Sequence, residues 1–144
     1  MADALKFKLD GFSQLEAALK DLGPKVARKI GHRGMKAGAQ VIVAAAQGRV
    51  PVSKENEPHL RDSIVATNPR VESESKLALQ IGFTKPASRH AGFVEFGTAK
   101  MAARPFMRPA IDADGQTAID VMGDQIGEDI ETAAKGYPLG KAGV

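Results

Sequence analysis

The stretch FVEFGTAKMAARPFMRPA, residues Phe93 to Ala110, predicts the end of one helix and the start of another. Gly97 follows an apolar helical pattern, and glycine readily takes the left-handed backbone conformation that commonly ends a helix. Pro105 has a fixed backbone angle that suits a helix start. We therefore expect a short helix over about Ser88–Phe96, a loop, and a long helix that continues to about Ala134.

A carboxylate and two arginines in this stretch predict an ion pair. Glu95 falls in the last turn of the short helix, where the helix macrodipole disfavours negative charge. We expect it to pair with Arg104 or Arg108, within the usual limit of about 4 Å. Three aromatic side chains are expected to cluster beneath this pair: Phe93, Phe96 and Phe106.

The loop TAKMAARP, residues 98–105, is expected to be exposed although its centre is apolar. An exposed apolar loop held at both ends suits contact with a protein partner. Lys100 and Met101 are therefore candidate interface residues. An ordinary surface loop is an equal alternative on physical grounds.

The remaining pattern predicts an α+β fold: an antiparallel sheet of three to four strands packed on a long helix, with a second long C-terminal helix. The long helix should run from Pro24 to about Gly48. Its small residues, Gly31, Gly34 and Gly38, predict close approach of another part of the chain, most simply its own sheet. The other expected elements are a strand within Leu5–Phe12, a helix at Ser13–Leu22, a helical turn at 58–63 and a hairpin of Ile64–Arg70 with Lys76–Phe83.

Length and composition indicate one domain, residues 1–136, followed by a flexible C-terminal tail, residues 137–144. The chain has 144 residues and no Cys, which excludes disulfides and thiol chemistry. No apolar run approaches the ~20 residues that span a membrane, and we expect no signal peptide and no membrane partner.

Opposite charges are segregated along the chain, although the net charge is only +3. The long helix carries bases and no acid, and the C-terminal helix carries acids and no base over Ile111–Ala134. Such segregation favours association between complementary surfaces, in one chain or between neighbours. The candidate interface residues are Lys25, Arg28, Lys29, Arg33 and Lys36 on the basic helix and Asp120, Asp124 and Glu128 on the acidic helix.

No pattern of residues predicts catalysis, a metal site or a cofactor site. His32, His59 and His90 lie in three different elements, and none has a second ligand at zinc spacing. No serine has a nucleophile-elbow context, and no phosphate-binding glycine loop is present. We therefore expect a protein that is not an enzyme and that carries no cofactor.

The run HAGFVEFGTAKMAARPFMRPA resembles the signature of tail-component proteins of long-tailed phages, the family of the lambdoid tail-component gene product ten. HLRDSI, His59 to Ile64, is similar to the family's shorter L-R-x-S-I motif, and the order of elements also matches. His90 and Ala102 stand where the family commonly has Tyr and Pro. The motif positions are Val94, Glu95, Phe96, Gly97, Thr98, Arg104, Pro105, Phe106, Arg108 and Pro109.

The resemblance implies a structural role in the virion neck or tail, with assembly in the cytoplasm of the bacterial host. Such a tail-completion or head–tail joining protein forms a homo-oligomeric ring, expected to be a hexamer, and can be a monomer in isolation. Its partners would be the tail tube or terminator and the head connector, with genome DNA passing through the lumen. The alternatives are a tail terminator or head-closure ring protein, and a DNA-binding accessory protein that uses the basic helix.

Overall fold

The computed structural model describes residues 22–51, 60–73, 76–84 and 88–136. The predicted N-terminal strand, nearly all of the predicted helix at 13–22 and the predicted tail at 137–144 lie outside these residues. The α+β class is confirmed. The helices are α1 (Pro24–Arg49), α2 (Ser88–Phe96) and α3 (Met107–Ala134), and the strands are β1 (Ile64–Ala66), β2 (Arg70–Ser73), β3 (Lys76–Ala78) and β4 (Ile81–Phe83), with a 3₁₀ turn at Leu60–Ser63 before β1.

Helix α1 begins and ends as its sequence predicts. Gly23 precedes it with φ 90°, and Pro24 occupies its first turn. The buried side is a stripe at four-residue intervals, in which every fourth residue turns to nearly the same face. The buried residues are Ile30, Gly34, Gly38, Ala39, Ile42, Val43 and Ala46.

Helix α3 packs antiparallel against α1, and glycines on α1 allow the two helices to approach closely. A Cβ atom on Gly34 would lie 2.6 Å from Cγ1 of Ile126, and one on Gly38 would lie 3.0 Å from the carbonyl oxygen of Ala118. The close approach predicted from small residues is therefore confirmed. The part of the chain that approaches these glycines most extensively is the C-terminal helix and not the sheet. The sheet approaches α1 at Gly31, through the side chain of Leu77.

The predicted hairpin is present, but it forms two short ladders instead of one sheet of three or four strands. β1 pairs with β4, and β2 pairs with β3, both antiparallel. The register moves by one residue between the ladders, from Ala66 opposite Ile81 to Arg70 opposite Ala78. Pro69, buried within the break, has no N–H to donate and cannot continue a ladder.

One apolar core joins α1, β1, α2 and the start of α3. Phe106 is 0% exposed and meets Phe83 edge to face, with ring centroids 5.8 Å apart. Ala91 of α2 and Ala110 of α3 are small, buried members of this core. Within the described part of the chain, no helix is both long enough and apolar enough to cross a membrane.

Candidate interaction surface

The junction between α2 and α3 is a compact structure held by backbone hydrogen bonds. Gly97 has φ 74° and donates its N–H to the carbonyl of Phe93 at 2.8 Å, which ends α2 as predicted. Thr98 and Met101 exchange two backbone hydrogen bonds, and the Arg104 N–H donates to the Val94 carbonyl at 2.8 Å. The chain therefore leaves α2, turns over Ala99 and Lys100, and returns beside it.

Glu95 joins the two helices, but not through an arginine side chain. Its Oε2 accepts from the backbone N–H groups of Phe106 at 2.8 Å and Met107 at 3.0 Å, and its Oε1 accepts from that of Arg108 at 3.1 Å. Among the described residues, Glu95 forms no ion pair within 4.0 Å, so the predicted pair with Arg104 or Arg108 is wrong. The positive end of α3 and its unpaired N–H groups provide the partner instead.

The predicted cluster of three phenylalanines is also wrong. Phe106 is in the core, whereas Phe93 is 45% exposed and Phe96 is 82% exposed. The physical reason is the placement of Ala91 and Val94, which turn the apolar side of α2 towards the core and leave Phe93 and Phe96 on its outer side. Met101 in the following turn is 43% exposed.

The other residues of the motif differ in burial. Val94 packs on the core, and Pro109 is half-buried in the first turn of α3. Arg104 and Pro105 are exposed. Arg108 is exposed too, with its Nε 3.8 Å from a carboxylate oxygen of Asp112, a weak surface contact. Within the motif, Val94, Glu95, Gly97 and Phe106 thus have architectural roles.

Two ion pairs join the basic helix to the acidic helix inside the chain. Arg33 Nε lies 2.7 Å from Oδ2 of Asp129, which is 4% exposed and also accepts from Gln125 at 3.0 Å. Arg49 lies 3.2 Å from Asp114 in a half-exposed pair. Arg33, expected at a subunit interface, is therefore engaged within the chain. The acid at position 129 was not singled out from sequence, although a charge three residues after Ile126 on an apolar helix side is a signal for such a pair.

The other predicted interface charges of α1 and α3 form two faces. The basic face consists of Lys25, Arg28, Lys29 and Lys36, of which Lys36 is half-buried and the others are exposed. At about 100° per residue, its three lysines lie about 140–180° around α1 from Gly34, on the side away from α3. In the described part of the chain, Lys25, Arg28 and Lys36 have no ion-pair partner.

The acidic face consists of Asp120, Asp124 and Glu128, all exposed at four-residue spacing. It lies about 120–160° around α3 from Ile126, on the side away from α1. Asp120 accepts a hydrogen bond from Gln116 at 3.0 Å, and none of the three has a cationic partner among the described residues. The first half of α1 thus carries positive charge, and α3 carries negative charge, on sides that face away from each other. Further along α1 the same side is buried, at Ala39 and Val43.

No group of three or more metal-ligating side chains occurs within residues 22–51, 60–73, 76–84 and 88–136. His32 and His90 stand apart, and His59 lies outside the described residues. The surface features of the described residues are the two charged faces and the exposed apolar residues of the junction.

A family model described as "Bacteriophage HK97-gp10, putative tail-component" matches residues 13–97, which is 85 of the 144 residues. The matched part includes α1, the hairpin and α2 as far as the glycine that ends it. Searches of curated proteins and of solved structures found no match.

Proposed function

This chain belongs to the HK97-gp10-like family of bacteriophage tail components, and from that premise we propose that it completes the tail as a ring in the virion neck. In this role it joins the tail tube or its terminator to the head connector, and the genome passes through the lumen. The role is structural and involves no catalysed reaction and no cofactor.

The observation that carries the proposal is the placement of opposite charge on the sides of α1 and α3 that face away from each other. A ring needs a heterologous interface, in which one patch of a subunit meets a different patch of the next. Lys25 and Lys36 on one copy can meet Asp120 and Asp124 on its neighbour, because these charges are left over after the internal pairs have formed. The same contact repeats at every subunit, and a ring forms instead of an open filament when the rotation between neighbours closes.

The basic face also supports a second candidate, direct contact with DNA. Lys25 and Arg28 are exposed, and such a stripe is typical of phosphate contact. Binding to duplex DNA measured across salt separates the two functions. Phosphate contact predicts a steep linear fall of log affinity with log salt, whereas a ring protein whose basic face meets its neighbour binds DNA weakly at every salt concentration.

Negative-stain images of particles made without this chain test the proposed role. We expect full-length tails and filled heads that fail to join, and we expect the purified chain to restore joining. Tails of uncontrolled length would overturn the proposal in favour of a tail terminator. Joined, normal particles would overturn any essential role in the neck.

A further inference from the structure

Three large apolar side chains are exposed within residues 93–101, at the α2–α3 junction. Phe93, Phe96 and Met101 are 45%, 82% and 43% exposed. Phe93 and Phe96 are three residues apart on α2, so they are neighbours on the helix surface. The other large apolar side chains exposed in the described residues are Val65 and Val71, both on the hairpin. We call Phe93, Phe96 and Met101 the junction patch.

The junction patch is held in place by the contacts beneath it. Glu95, between the two phenylalanines, accepts three backbone hydrogen bonds from the start of α3. Thr98 and Met101 pair with each other, and Arg104 returns to Val94. A surface ordered before binding loses little conformational freedom when a partner docks, which favours binding over a mobile loop of the same composition.

Cations flank the junction patch along the sequence. Lys100, Arg104 and Arg108 are exposed, and the only carboxylate between residues 93 and 108 is that of Glu95, which the helix start already occupies. Lys100 and Arg104 form no ion pair with any described residue. The chemistry that complements this surface is therefore an apolar centre with an acidic rim.

A second copy of this chain does not offer that chemistry. Two junction patches packed on each other would set Lys100 and Arg104 of one copy against those of the other, and like charges oppose such a contact. The acidic face has the right sign, but α3 exposes no large apolar side chain among the described residues. The acidic face also begins only at Asp120, about 18 Å along α3 from Arg108.

We propose that the junction patch docks a different protein, whose surface is apolar at its centre and acidic at its rim. This inference rests on the proposed function, since it assigns the patch to the contact with the tail or with the head. Ring neighbours would then meet through the charged faces, and the unlike partner would meet the junction.

The test uses two probes: purified tails and purified filled heads, both made without this chain. The variant F93S/F96S is compared with the wild type by co-sedimentation. V71S serves as the control because Val71 is 47% exposed, about as much as Phe93, but lies on the hairpin. Both variants should unfold at the wild-type temperature. We expect F93S/F96S to bind one of the two particles at least about tenfold more weakly, and V71S to bind normally.

A second variant tests the rim. K100E/R104E should weaken binding to the same particle as F93S/F96S, since it sets acids against an acidic rim. Wild-type affinity of F93S/F96S for both particles would overturn the inference, as would a loss confined to self-association, which would make the patch a contact between copies. Failure of the wild type to bind either particle would instead overturn the proposed function on which the inference rests.

Discussion

Oε2 of Glu95 accepts a hydrogen bond of 2.8 Å from the backbone N–H of Phe106, so the last turn of α2 caps the first turn of α3. The same carboxylate also takes the N–H groups of Met107 and Arg108. A charged acceptor at a helix N-terminus satisfies donors that no intrahelical carbonyl can reach. This contact fixes the direction in which α3 leaves the core and positions the surfaces proposed to meet partners.

Replacing Glu95 should therefore destabilise the fold, and the side chains of Arg104 and Arg108 should not contribute to that loss. We expect Glu95→Ala to lower the free energy of unfolding by about 2–3 kcal/mol, because it leaves three helix N–H groups without their acceptor. Glu95→Gln should cost less, since one oxygen remains. Urea unfolding measures both.

The matched control for this prediction is Arg104→Ala, which should change stability by less than about 0.5 kcal/mol because the side chain is exposed. In the double variant the two effects should add. A coupling energy above about 0.5 kcal/mol between Glu95 and Arg104 would instead indicate the ion pair that the structure lacks.

The helix contact at Gly34 predicts an unusual response to alanine. Alanine normally stabilises a helix by about 1 kcal/mol relative to glycine. At Gly34 the new Cβ would meet Ile126 at 2.6 Å, so we expect Gly34→Ala to destabilise by about 1–3 kcal/mol. At Gly127 nothing lies within 4 Å of the added Cβ, and Gly127→Ala should stabilise. Equal effects at both positions would contradict close packing of α1 on α3.

The two internal ion pairs should differ sharply in strength. Arg33→Met leaves Asp129, which is 4% exposed, without its cation, and we expect a loss of about 3 kcal/mol. Arg49→Met breaks a half-exposed pair and should cost less than about 1 kcal/mol. Thermal unfolding of both variants at matched salt tests the difference. A larger loss for Arg49→Met would reverse this assignment.

Glu72 predicts a local pH effect in the hairpin. A hydrogen bond and the positive charge of Lys76, helped by Arg70, lower the pKa of Glu72 below its ordinary value. Folding thus favours the ionised carboxylate. Its contribution to stability is present above the ordinary carboxyl pKa and is lost as the pH falls through the lowered folded value.

An NMR titration of the Glu72 carboxyl group measures this effect. Lys76→Met should raise the pKa of Glu72 towards its ordinary value, and Arg70→Met should raise it by less. High salt should have the same direction of effect, because the pair is exposed. An unchanged pKa in Lys76→Met would contradict the assigned cause.

The start of α1 and the end of α2 could be predicted from the sequence because single residues encode them, whereas α3 begins at Met107, two residues after the expected Pro105. Pro24 starts α1, and Gly97 ends α2 in a conformation that glycine tolerates. The partner of Glu95 could not be predicted. Every residue except proline has a backbone N–H group, so the residue types do not show which of these groups binds the carboxylate. The exposure of Phe93 and Phe96 likewise depends on which side of the nine-residue helix α2 packs on the core. Apolar residues occur on both sides of this helix, so the sequence does not specify that side.

The pairing of Arg33 with Asp129 depends on the register of two helices whose residues are 96 positions apart. Charge segregation predicted attraction between the helices but not which charges would be used inside the chain. The division of the hairpin into two ladders follows from a one-residue register shift near Pro69, which alternating hydrophobicity does not specify. These features are set by tertiary packing, which the local sequence pattern does not determine.

The central claim, a ring built by contact between the basic and acidic faces, is tested most directly by exchanging charge. One variant reverses the basic face, K25E/R28E/K36E, and a second reverses the acidic face, D120K/D124K/E128K. Arg33 and Asp129 stay unchanged, so each monomer should remain folded. Each variant is added to tails and heads made without this chain, and joined particles are counted in negative-stain images.

Each variant alone should fail to join heads to tails, because its two faces now carry like charge. An equal mixture should restore joining, since alternating subunits regain opposite charges at every contact in a ring with an even number of subunits. Normal joining by either variant alone, or failure of the mixture while both variants remain folded, would contradict the account.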